Sequence, residues 1–448
     1  MRVLIVVHGY PPTHSGGAER RAERTARALA RRNYQVRVLC VESATEPQSE
    51  LWWREAVQDG VLVRRLYFGL EASPNPFELS YDNPWIGELV DDLIGQWHPS
   101  VLHLFSGYLM SSSVVRAASV RKVPLVISLT DYWWLCHRIN LLRSDGRRCE
   151  GPSPVGCARC YAEIYRRYRL PATLLPWGAD RFWSVAGRIP ALGQLLGVPR
   201  QVKRSQTLMD ALRQADVLIA PSRYLADLYL RYGVDSQRLR VWRQGVELSQ
   251  RPKRTPSEVL RVGYVGQVKQ HKGVDLLLDA WSQLQGPKPR QLFLYGSDKG
   301  EEAYGCFISE RIRRLKGVVW EGEFRGGEVW PVLANLDVLV VPSRWAENSP
   351  NSILEAQAVG LPVIGSNIGG IAELVQHEHN GLLFAVDSAE NLARQLQRLL
   401  DDPNLLKRLS HADGRVRTVD EEVDQISALY EDLNRRCAEH LVGSLAQS

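Results

Sequence analysis

The sequence predicts an α/β protein with two domains, each built around a parallel β-sheet. Over most of the chain, short apolar runs rich in β-branched residues alternate with amphipathic helical segments, which is typical of repeated β–α–β units. The chain has 448 residues, more than a single hydrophobic core usually organises. A polar stretch with two prolines, SQRPKRTPS at 249–257, separates two series of strands and indicates a linker.

The predicted elements follow from these runs. In the first domain the predicted strands are 2–7, 36–41, 61–67, 101–104, 125–129 and 217–220, with a first helix at 18–32. In the second domain they are 259–265, 291–295, 318–321, 338–341 and 362–365. Apolar residues at helical spacing predict a long helix at 420–442. We therefore expect domains at 1–250 and 258–415, a helical segment at 416–448, and an insertion at about 132–206 in the first domain.

Composition places the chain among ordinary globular enzymes. Apolar residues make up 44% and charged residues 24%, and no run of about 18 apolar residues predicts a membrane-spanning helix. The first apolar run, Val3 to Val7, is too short for a signal peptide, so we expect a cytoplasmic protein. The sequence has no G-x-x-x-x-G-K-[ST] loop and no G-x-G-x-x-G after the first strand, which argues against kinases and dehydrogenases. Without a known module for nucleic acid, we expect no nucleic-acid partner.

The stretch 343–370, SRWAENSPNSILEAQAVGLPVIGSNIGG, predicts a helix directly after a strand. Ser349 is a good N-cap, Pro350 suits the first helical position, and Gly360 with Pro362 marks the end, so the helix is predicted at 350–359. The N–H groups and dipole of such a helix point to the ligand crevice of an α/β sheet, where they suit a diphosphate. Glu347 and Glu355 bracket this anion site and suit sugar hydroxyls. The alternative is two ordinary surface acids near a helix start.

These motifs resemble those of the family-four retaining glycosyltransferases (glycosyl transferases group 1), which have the GT-B fold. The resemblance rests on two glutamates separated by seven residues, Glu347 and Glu355, then Gly360-Leu361-Pro362 and the turn GGIAE at 369–373. The start HGYPPTHSGGAERR, the segment ADVLIAPSRYLADL and the loop VGQVKQHKG also match, in order, over nearly the whole chain. The resemblance implies two facing Rossmann-like domains and a C-terminal helix that crosses between them towards the N-terminal domain.

The resemblance also implies roles for individual residues. Glu355 would bind the ribose hydroxyls and Glu347 the donor sugar of a nucleotide diphosphate sugar. The amides of Asn351 and Ser352 and the ammonium of Lys272 would hold the diphosphate. Lys272 would also stabilise the charge on the leaving group. Together with Glu347 and Asp131, it is one of the three residues predicted to be catalytic. Gly16 and Gly17 would let the backbone approach the phosphate or the acceptor.

Three places depart from the family pattern, and one of them, the Asn-Ser-Pro after Glu347, is read as a subgroup feature. Gln267 stands where the family usually has an arginine, so Lys269 or Arg344 would have to supply a second cation at the diphosphate. Thr130-Asp131 replaces a His-Asp pair, and only the aspartate is kept. The departures leave two alternatives to transfer: a nucleotide-sugar epimerase with the same fold, and a non-catalytic sugar-nucleotide-binding relative.

The resemblance implies the reaction class as well. Retaining members react on one face of the sugar, and the leaving phosphate takes the acceptor's proton, so we expect no protein base. No Asp-x-Asp cluster stands near a strand end, so no catalytic metal is expected. The acceptor would be a saccharide or a lipid-linked molecule, in the synthesis of a cell-surface polysaccharide or glycolipid.

Four cysteines fall close together. Cys136, Cys149, Cys157 and Cys160, the last two as C-x-x-C, suit a structural zinc site with His137 as a spare ligand. Reduced thiols, or disulfides in an oxidising compartment, are the alternatives.

The segment after the cysteines is basic and apolar. The segment 151–210 contains nine Arg or Lys and three acids, interleaved with Trp177, Trp183 and several leucines. This mixture suits a surface that contacts anionic lipid, which would make the protein peripheral at the inner face of the membrane. An Arg-rich helical insertion packed on the first domain is the alternative.

Overall fold

The chain folds into two units, each with its own sheet. The structure is a computed structural model that describes residues 1–247, 257–324, 329–410 and 416–445, with side chains through 439. Unit 1 comprises Met1–Pro221, Ala226–Trp242 and Asp420–Ser448; unit 2 comprises Ser222–Leu225 and Arg243–Val419. Apart from its last residue, the predicted linker at 249–257 lies outside the described residues. The domain limits placed on either side of it stay predictions.

Unit 1 holds an eight-stranded sheet in the order β3-β4-β2-β1-β5-β6-β7-β8. All neighbours pair in parallel except β3 and β4. The strands are β1 Arg2–Val7, β2 Gln35–Ser43, β3 Trp52–Gln58, β4 Val61–Tyr67, β5 Val101–Phe105, β6 Leu125–Ser128, β7 Val217–Ala220 and β8 Leu239–Val241. The predicted parallel sheet is confirmed, because the buried runs of β-branched residues form its interior strands.

The helices up to the end of the first sheet pack around it or fill the insertion. They are α1 Gly17–Arg31, α2 Pro76–Leu79, α3 Pro84–Trp97, α4 Ser113–Val120, α5 Pro154–Ala162, α6 Arg166–Leu174, α7 Pro176–Ala186, α8 Pro190–Leu195, α9 Val198–Gln214 and α10 Arg223–Arg231. Five of them, α5 to α9, lie between β6 and β7 and form the insertion.

Unit 2 holds a six-stranded sheet in the order β11-β10-β9-β12-β13-β14, parallel throughout. The strands are β9 Leu260–Val265, β10 Arg290–Tyr295, β11 Val318–Gly322, β12 Val338–Val341, β13 Val363–Ser366 and β14 Gly381–Phe384. The helices after β9 are α11 Val274–Ser282, α12 Glu302–Ile312, α13 Val329–Ala334, α14 Asn351–Ala358, α15 Gly369–Leu374, α16 Ala389–Asp401, α17 Pro403–Ser410 and α18 Val419–Leu445. Apolar clusters on both faces of the sheet bury its strands.

The C-terminal helix α18 packs against unit 1. Arg21 and Glu422 form a buried ion pair at 2.7 Å between Nη2 and Oε1. His103, buried in β5, lies 2.5 Å from the Tyr430 hydroxyl at Nδ1 and 2.8 Å from Ser128 Oγ at Nε2. Burial, helped by the Arg21 charge, lowers the pKa of His103 well below its usual value, so this ring is neutral. No described helix is long and apolar enough to cross a bilayer.

Candidate active site

The centre of unit 2 has the geometry of a ligand-binding crevice. Strand β9 comes first in the chain and has β10 on one side and β12 on the other, so the strand order reverses direction between β9 and β12. In parallel α/β sheets, ligands bind outside the carboxyl ends of strands at such a switch point. The segments that follow β9 and β12 carry Lys272 and Glu347.

Gly273 brings Lys272 close to the end of β12. A short 3₁₀ turn, Gln270–Lys272, ends at Gly273, whose φ of 74° lies in the left-handed region. A Cβ atom on Gly273 would lie 2.0 Å from the carbonyl oxygen of Pro342, directly after β12. Only glycine therefore fits between the turn and the strand end.

Substitution of Gly273 should damage this site through that contact. Gly286 is a matched control, because it has a φ of 92° but no atom within 4 Å of the position that a Cβ would take. Both alanine variants carry the left-handed backbone cost of roughly 1 kcal/mol. We expect Gly273→Ala to lose about 1 to 3 kcal/mol more than Gly286→Ala in denaturant unfolding, because it must also displace backbone. Equal losses in the two variants would contradict this account.

Lys272 and Glu347 form a largely buried ion pair. Lys272 Nζ donates to Glu347 Oε1 at 2.7 Å, and Ser343 Oγ donates to the same oxygen at 2.7 Å. Lys272 also lies 5.2 Å from the centre of the Trp345 ring. Burial alone would raise the pKa of Glu347, but the Lys272 charge and hydrogen bonds from Lys272, Ser343 and Trp345 hold that pKa below its usual value. Glu347 is therefore ionised at neutral pH.

The glycine pair at 369–370 shapes the backbone around Glu347. Gly370 N donates to the Glu347 carbonyl at 2.6 Å. A Cβ on Gly370 would lie 1.8 Å from the Asn348 carbonyl oxygen, and one on Gly369 would lie 2.8 Å from that of Glu347. The two glycines thus allow α15 to pack directly on the loop that presents the Glu347 carboxylate.

Helix α14 begins beside this pair, but not as predicted. Pro350 is its N-cap, and no side chain caps it. The predicted N-cap Ser349 is wrong: its hydroxyl is buried without a hydrogen-bond partner in the described part of the chain. Gln244 instead organises the helix start, since its Nε2 donates to the Ser349 carbonyl at 2.6 Å and to Asn351 Oδ1 at 3.1 Å.

The other predicted donor residues lie on α14. Asn351 and Ser352 are its first two residues, whose N–H groups have no acceptor within the helix. Glu355 follows in the second turn and is partly exposed. The structure thus brings Lys272, Glu347 and the start of α14 together in the segments around one switch point.

The cations proposed to replace the family arginine differ in their surroundings. Gln267 is exposed, and its carbonyl accepts from the Tyr264 hydroxyl at 2.5 Å. Arg344 is committed elsewhere, since it pairs with both oxygens of Asp275 at 2.6 and 2.9 Å and with Asp387 at 2.8 Å. The suggestion that Arg344 serves the diphosphate is therefore corrected. Lys269 has no ion-pair partner among residues 257–324 and the other described ranges, so it remains the candidate.

The predicted site residues of unit 1, Gly16 and Gly17 for the phosphate or the acceptor and Asp131 for catalysis, lie at the carboxyl edge of its sheet. Gly16 and Gly17 are exposed at the start of α1. Asp131, after β6, accepts from Ser106 Oγ at 2.6 Å and from Trp133 N at 2.8 Å. The Thr130 hydroxyl, where the family has a histidine, lies 3.3 Å from the same carboxylate. Asp131 is thus held in a fixed orientation by three donors.

Sequence reasoning missed a histidine and a glutamate at this edge. His8 follows β1, and its Nε2 lies 3.2 Å from Glu19 Oε1 of α1. Burial lowers the pKa of His8, but the hydrogen bond and charge of Glu19 and the charge of Asp131 outweigh it, so the pKa lies above its usual value. A Cβ on Gly16 would lie 2.6 Å from Glu19 Oε2, so an alanine there would have to displace the end of the Glu19 side chain. Both residues lie in the motif HGYPPTHSGGAERR, but only the fold shows that their side chains meet.

The predicted zinc site finds no ligand set. Cys136, Cys149, Cys157 and Cys160 line one cavity of about 370 Å³, yet no group of three or more potential ligands among the described residues could hold a metal ion. The thiols are free, and Cys149 Sγ donates to the Gly151 carbonyl at 3.2 Å. Burial raises the pKa of Cys157 to about 11 and that of Cys160 to about 12. The zinc site therefore stays a prediction, and reduced thiols around a cavity remain its alternative.

Solved structures show the class of fold. The structure of Anabaena Alr3699/HepE in complex with UDP and glucose is similar over 98% of this chain and 99% of that chain, with a TM-score of 0.63 and 18% sequence identity. WaaG, a glycosyltransferase involved in lipopolysaccharide biosynthesis, is similar over 96% and 99%, with a TM-score of 0.60 and 17% identity. Two Rossmann-like units with parallel sheets thus define the GT-B class of glycosyltransferase folds.

Sequence comparisons show the family. The family model "Glycosyl transferases group 1" matches residues 260–402, and "Glycosyl transferase 4-like domain" matches residues 16–182. A GDP-mannose-dependent alpha-mannosyltransferase of Corynebacterium glutamicum is 34% identical over 311 residues, 66% of this chain and 69% of that protein. A glycogen synthase of Mycobacterium tuberculosis is 24% identical over 435 residues, 92% of this chain and 89% of that protein. The chain belongs to the group 1, family-four glycosyltransferases and is a glycosyltransferase.

Proposed function

We propose that this glycosyltransferase moves a hexose from a nucleotide diphosphate sugar to a saccharide or lipid-linked acceptor with retention of anomeric configuration. The observation that carries the proposal is the Lys272–Glu347 pair beside the start of α14, at the switch point of unit 2. Family membership favours transfer over the epimerase and over a non-catalytic relative.

The diphosphate would bind at the start of α14. The N–H groups of Asn351 and Ser352 and the positive end of the helix dipole favour an anion there. The Lys272 ammonium has three donors, of which Glu347 takes one, so others remain for phosphate oxygens. Because the pair is neutral before the donor binds, the incoming diphosphate would meet no net negative charge.

Lys272 would act mainly in the transition state. Negative charge grows on the diphosphate as the sugar leaves, and a fixed ammonium in a site of low polarity stabilises that charge. Glu347, ionised and held by Ser343, would accept a hydroxyl of the donor sugar. Glu355 would accept the ribose hydroxyls, and Lys269 is the second cation that we assign to the diphosphate.

The carboxyl edge of unit 1 would receive the acceptor. Asp131 is fixed by three donors and His8 is held against Glu19, so both side chains are preorganised for hydroxyl groups. The C. glutamicum relative is named for a mannosyl donor and WaaG for lipopolysaccharide synthesis. These names support a nucleotide sugar donor and a cell-surface product.

The anomer of the released sugar tests the mechanism without knowledge of the acceptor. Many transferases transfer slowly to water, so the protein would be incubated with α-linked nucleotide sugars and followed by proton NMR from the first minutes. Retention predicts that the α-anomer appears first and then mutarotates. Initial β-anomer would contradict retention. No sugar release and no transfer to any saccharide in a protein that binds nucleotide would favour the non-catalytic relative.

A further inference from the structure

Exposed hydrophobic side chains concentrate in one part of unit 1. Eleven of the nineteen exposed large hydrophobic residues of the described chain lie between Ile164 and Leu195. The most exposed are Leu195 at 82%, Leu174 at 79% and Trp177 at 69%. Such residues are normally scattered singly, whereas a concentration marks a surface that contacts an apolar partner. We call residues 164–195, which contain helices α6, α7 and α8, the insertion surface.

The insertion surface is poorly packed on the rest of unit 1. Helix α6 buries no residue, α7 buries only Trp183 and Ala186, and α8 buries only Gly193. A water-exposed helix normally keeps an apolar stripe against a core and polar residues outside. The alternative interpretation of a packed insertion is therefore wrong for α6, whose leucines face no protein interior.

The charges of the insertion surface are almost all positive. Five arginines are exposed on it: Arg166, Arg167, Arg169, Arg181 and Arg188. None has a carboxylate within ion-pair distance in the part of the chain that the structure describes. The one acid of this segment, Asp180, is already paired with Arg159 of α5. The surface therefore offers unpaired guanidinium groups between exposed apolar side chains.

A cavity of about 380 Å³ opens beside these helices. Its lining includes Arg167, Tyr168, Trp183 and Leu195 from the insertion surface, and also Phe77 and Arg200. The Arg200 guanidinium lies 5.7 Å from the centre of the Phe77 ring. Two guanidinium groups among aromatic rings suit a phosphate that is attached to hydrocarbon.

We propose that the insertion surface docks the protein on an anionic lipid bilayer. The exposed leucines and Trp177 would enter the boundary between headgroups and acyl chains, and the arginines would pair with lipid phosphates. A symmetric contact with a second copy is disfavoured, since it would bring two sets of unpaired arginines together. The inference does not rest on the proposed function, because lipid binding needs neither donor nor acceptor.

Flotation with vesicles tests the docking directly. The full-length protein would be mixed with vesicles of phosphatidylcholine alone or with added phosphatidylglycerol. We expect flotation only with the anionic vesicles. It should weaken when salt rises from about 0.1 M to about 1 M, which shortens the Debye length from about 10 Å to about 3 Å. Absence of flotation with anionic vesicles would overturn the proposal.

Matched variants distinguish docking through the insertion surface from nonspecific hydrophobic binding to vesicles. Leu174→Ser/Leu195→Ser removes two highly exposed leucines, and Val57→Ser/Val120→Ser removes two valines of unit 1 that are 72% and 71% exposed. We expect the first variant to lower vesicle partitioning at least ~10-fold and the second to leave it unchanged. Equal partitioning of the two variants would overturn the proposal.

Two further results would also contradict lipid docking. A dimer in light scattering that the Leu174→Ser/Leu195→Ser variant dissolves would assign the surface to a second copy. A monomer that does not bind anionic vesicles would indicate that the insertion surface binds a protein partner instead. Nucleotide binding, measured on both variants, shows whether either substitution has disturbed the fold.

Discussion

Lys272→Ala should lower kcat by roughly 100- to 1000-fold, the usual effect of removing one group that stabilises charge in a transition state. Lys272 is 2.7 Å from Glu347 and is held by a turn that only Gly273 allows. Steady-state kinetics would measure the kcat of both proteins, with the sugar donor of the nucleotide that binds the wild type. Lys407→Ala, in an exposed position of α17, is the control and should leave kcat unchanged.

The same substitution should also destabilise unit 2. It leaves the Glu347 carboxylate buried without its cation, which typically costs about 3 to 5 kcal/mol. Lys272→Ala/Glu347→Gln removes the buried charge as well, so it should regain most of that stability in denaturant unfolding. It should not regain activity. A double variant that is as active as the wild type would contradict a direct role for Lys272.

The pH dependence of stability should change sign between wild type and Lys272→Ala. In the wild type the pKa of Glu347 is lowered, so the pair's contribution is present above about 4.5 and is lost as pH falls through the lower folded pKa. Without Lys272, burial dominates and raises that pKa, so the variant should gain stability as pH falls from 7 towards 5. Parallel curves of unfolding free energy against pH would contradict this assignment.

Glu355→Ala should weaken nucleotide binding by between ~10-fold and ~100-fold, because hydrogen bonds to a charged group are worth about 1.5 to 3 kcal/mol. If the Glu355 carboxylate accepts hydrogen bonds from the ribose hydroxyls, the loss of nucleotide affinity depends on the presence of those hydroxyls. Wild type should bind a nucleoside diphosphate more tightly than its 2′-deoxy analogue. Glu355→Ala should bind the two almost equally in isothermal titration.

The comparison of ribose and deoxyribose isolates this contact from general damage. Glu390→Ala is the matched control, since its side chain is 81% exposed on α16 and its ion pair with Arg394 lies at the surface. It should keep the wild-type preference for ribose. If Glu355→Ala kept that preference too, another residue would hold the ribose.

The interior strands of both sheets and the edge strand β11 could be predicted from the sequence, whereas the edge strands β3, β8 and β14 could not. Strands such as β7 and β12 are short apolar runs that are buried on both faces, and such runs are visible in the sequence. Strand β3 was missed because nearly all its residues are exposed, so it lacks a buried pattern. Its signal was the turn at Asp59-Gly60, with φ of 50° and 78°, which joins β3 to β4 as an antiparallel hairpin.

The candidate site shows the same division between local and long-range information. A helix after β12, and the glycines at 369–370, could be read from the sequence because each acts within a few residues. The N-cap at Ser349 failed because Gln244, distant in sequence, fixes the helix start. Arg344 pairs with Asp275, which is far away in the sequence. His8 contacts Glu19, which lies on a different element. Only the folded chain shows such contacts.

The most direct test of the central claim is a titration of purified protein with UDP, GDP, ADP and TDP, repeated on Lys272→Ala and Glu355→Ala. The claim is that Lys272, Glu347 and the start of α14 form a nucleotide diphosphate site. We predict that one of these nucleotides binds the wild type and that both variants bind it more weakly. Failure of the folded wild-type protein to bind any of them would contradict the claim. Binding by both variants that is as tight as binding by the wild type would contradict it as well.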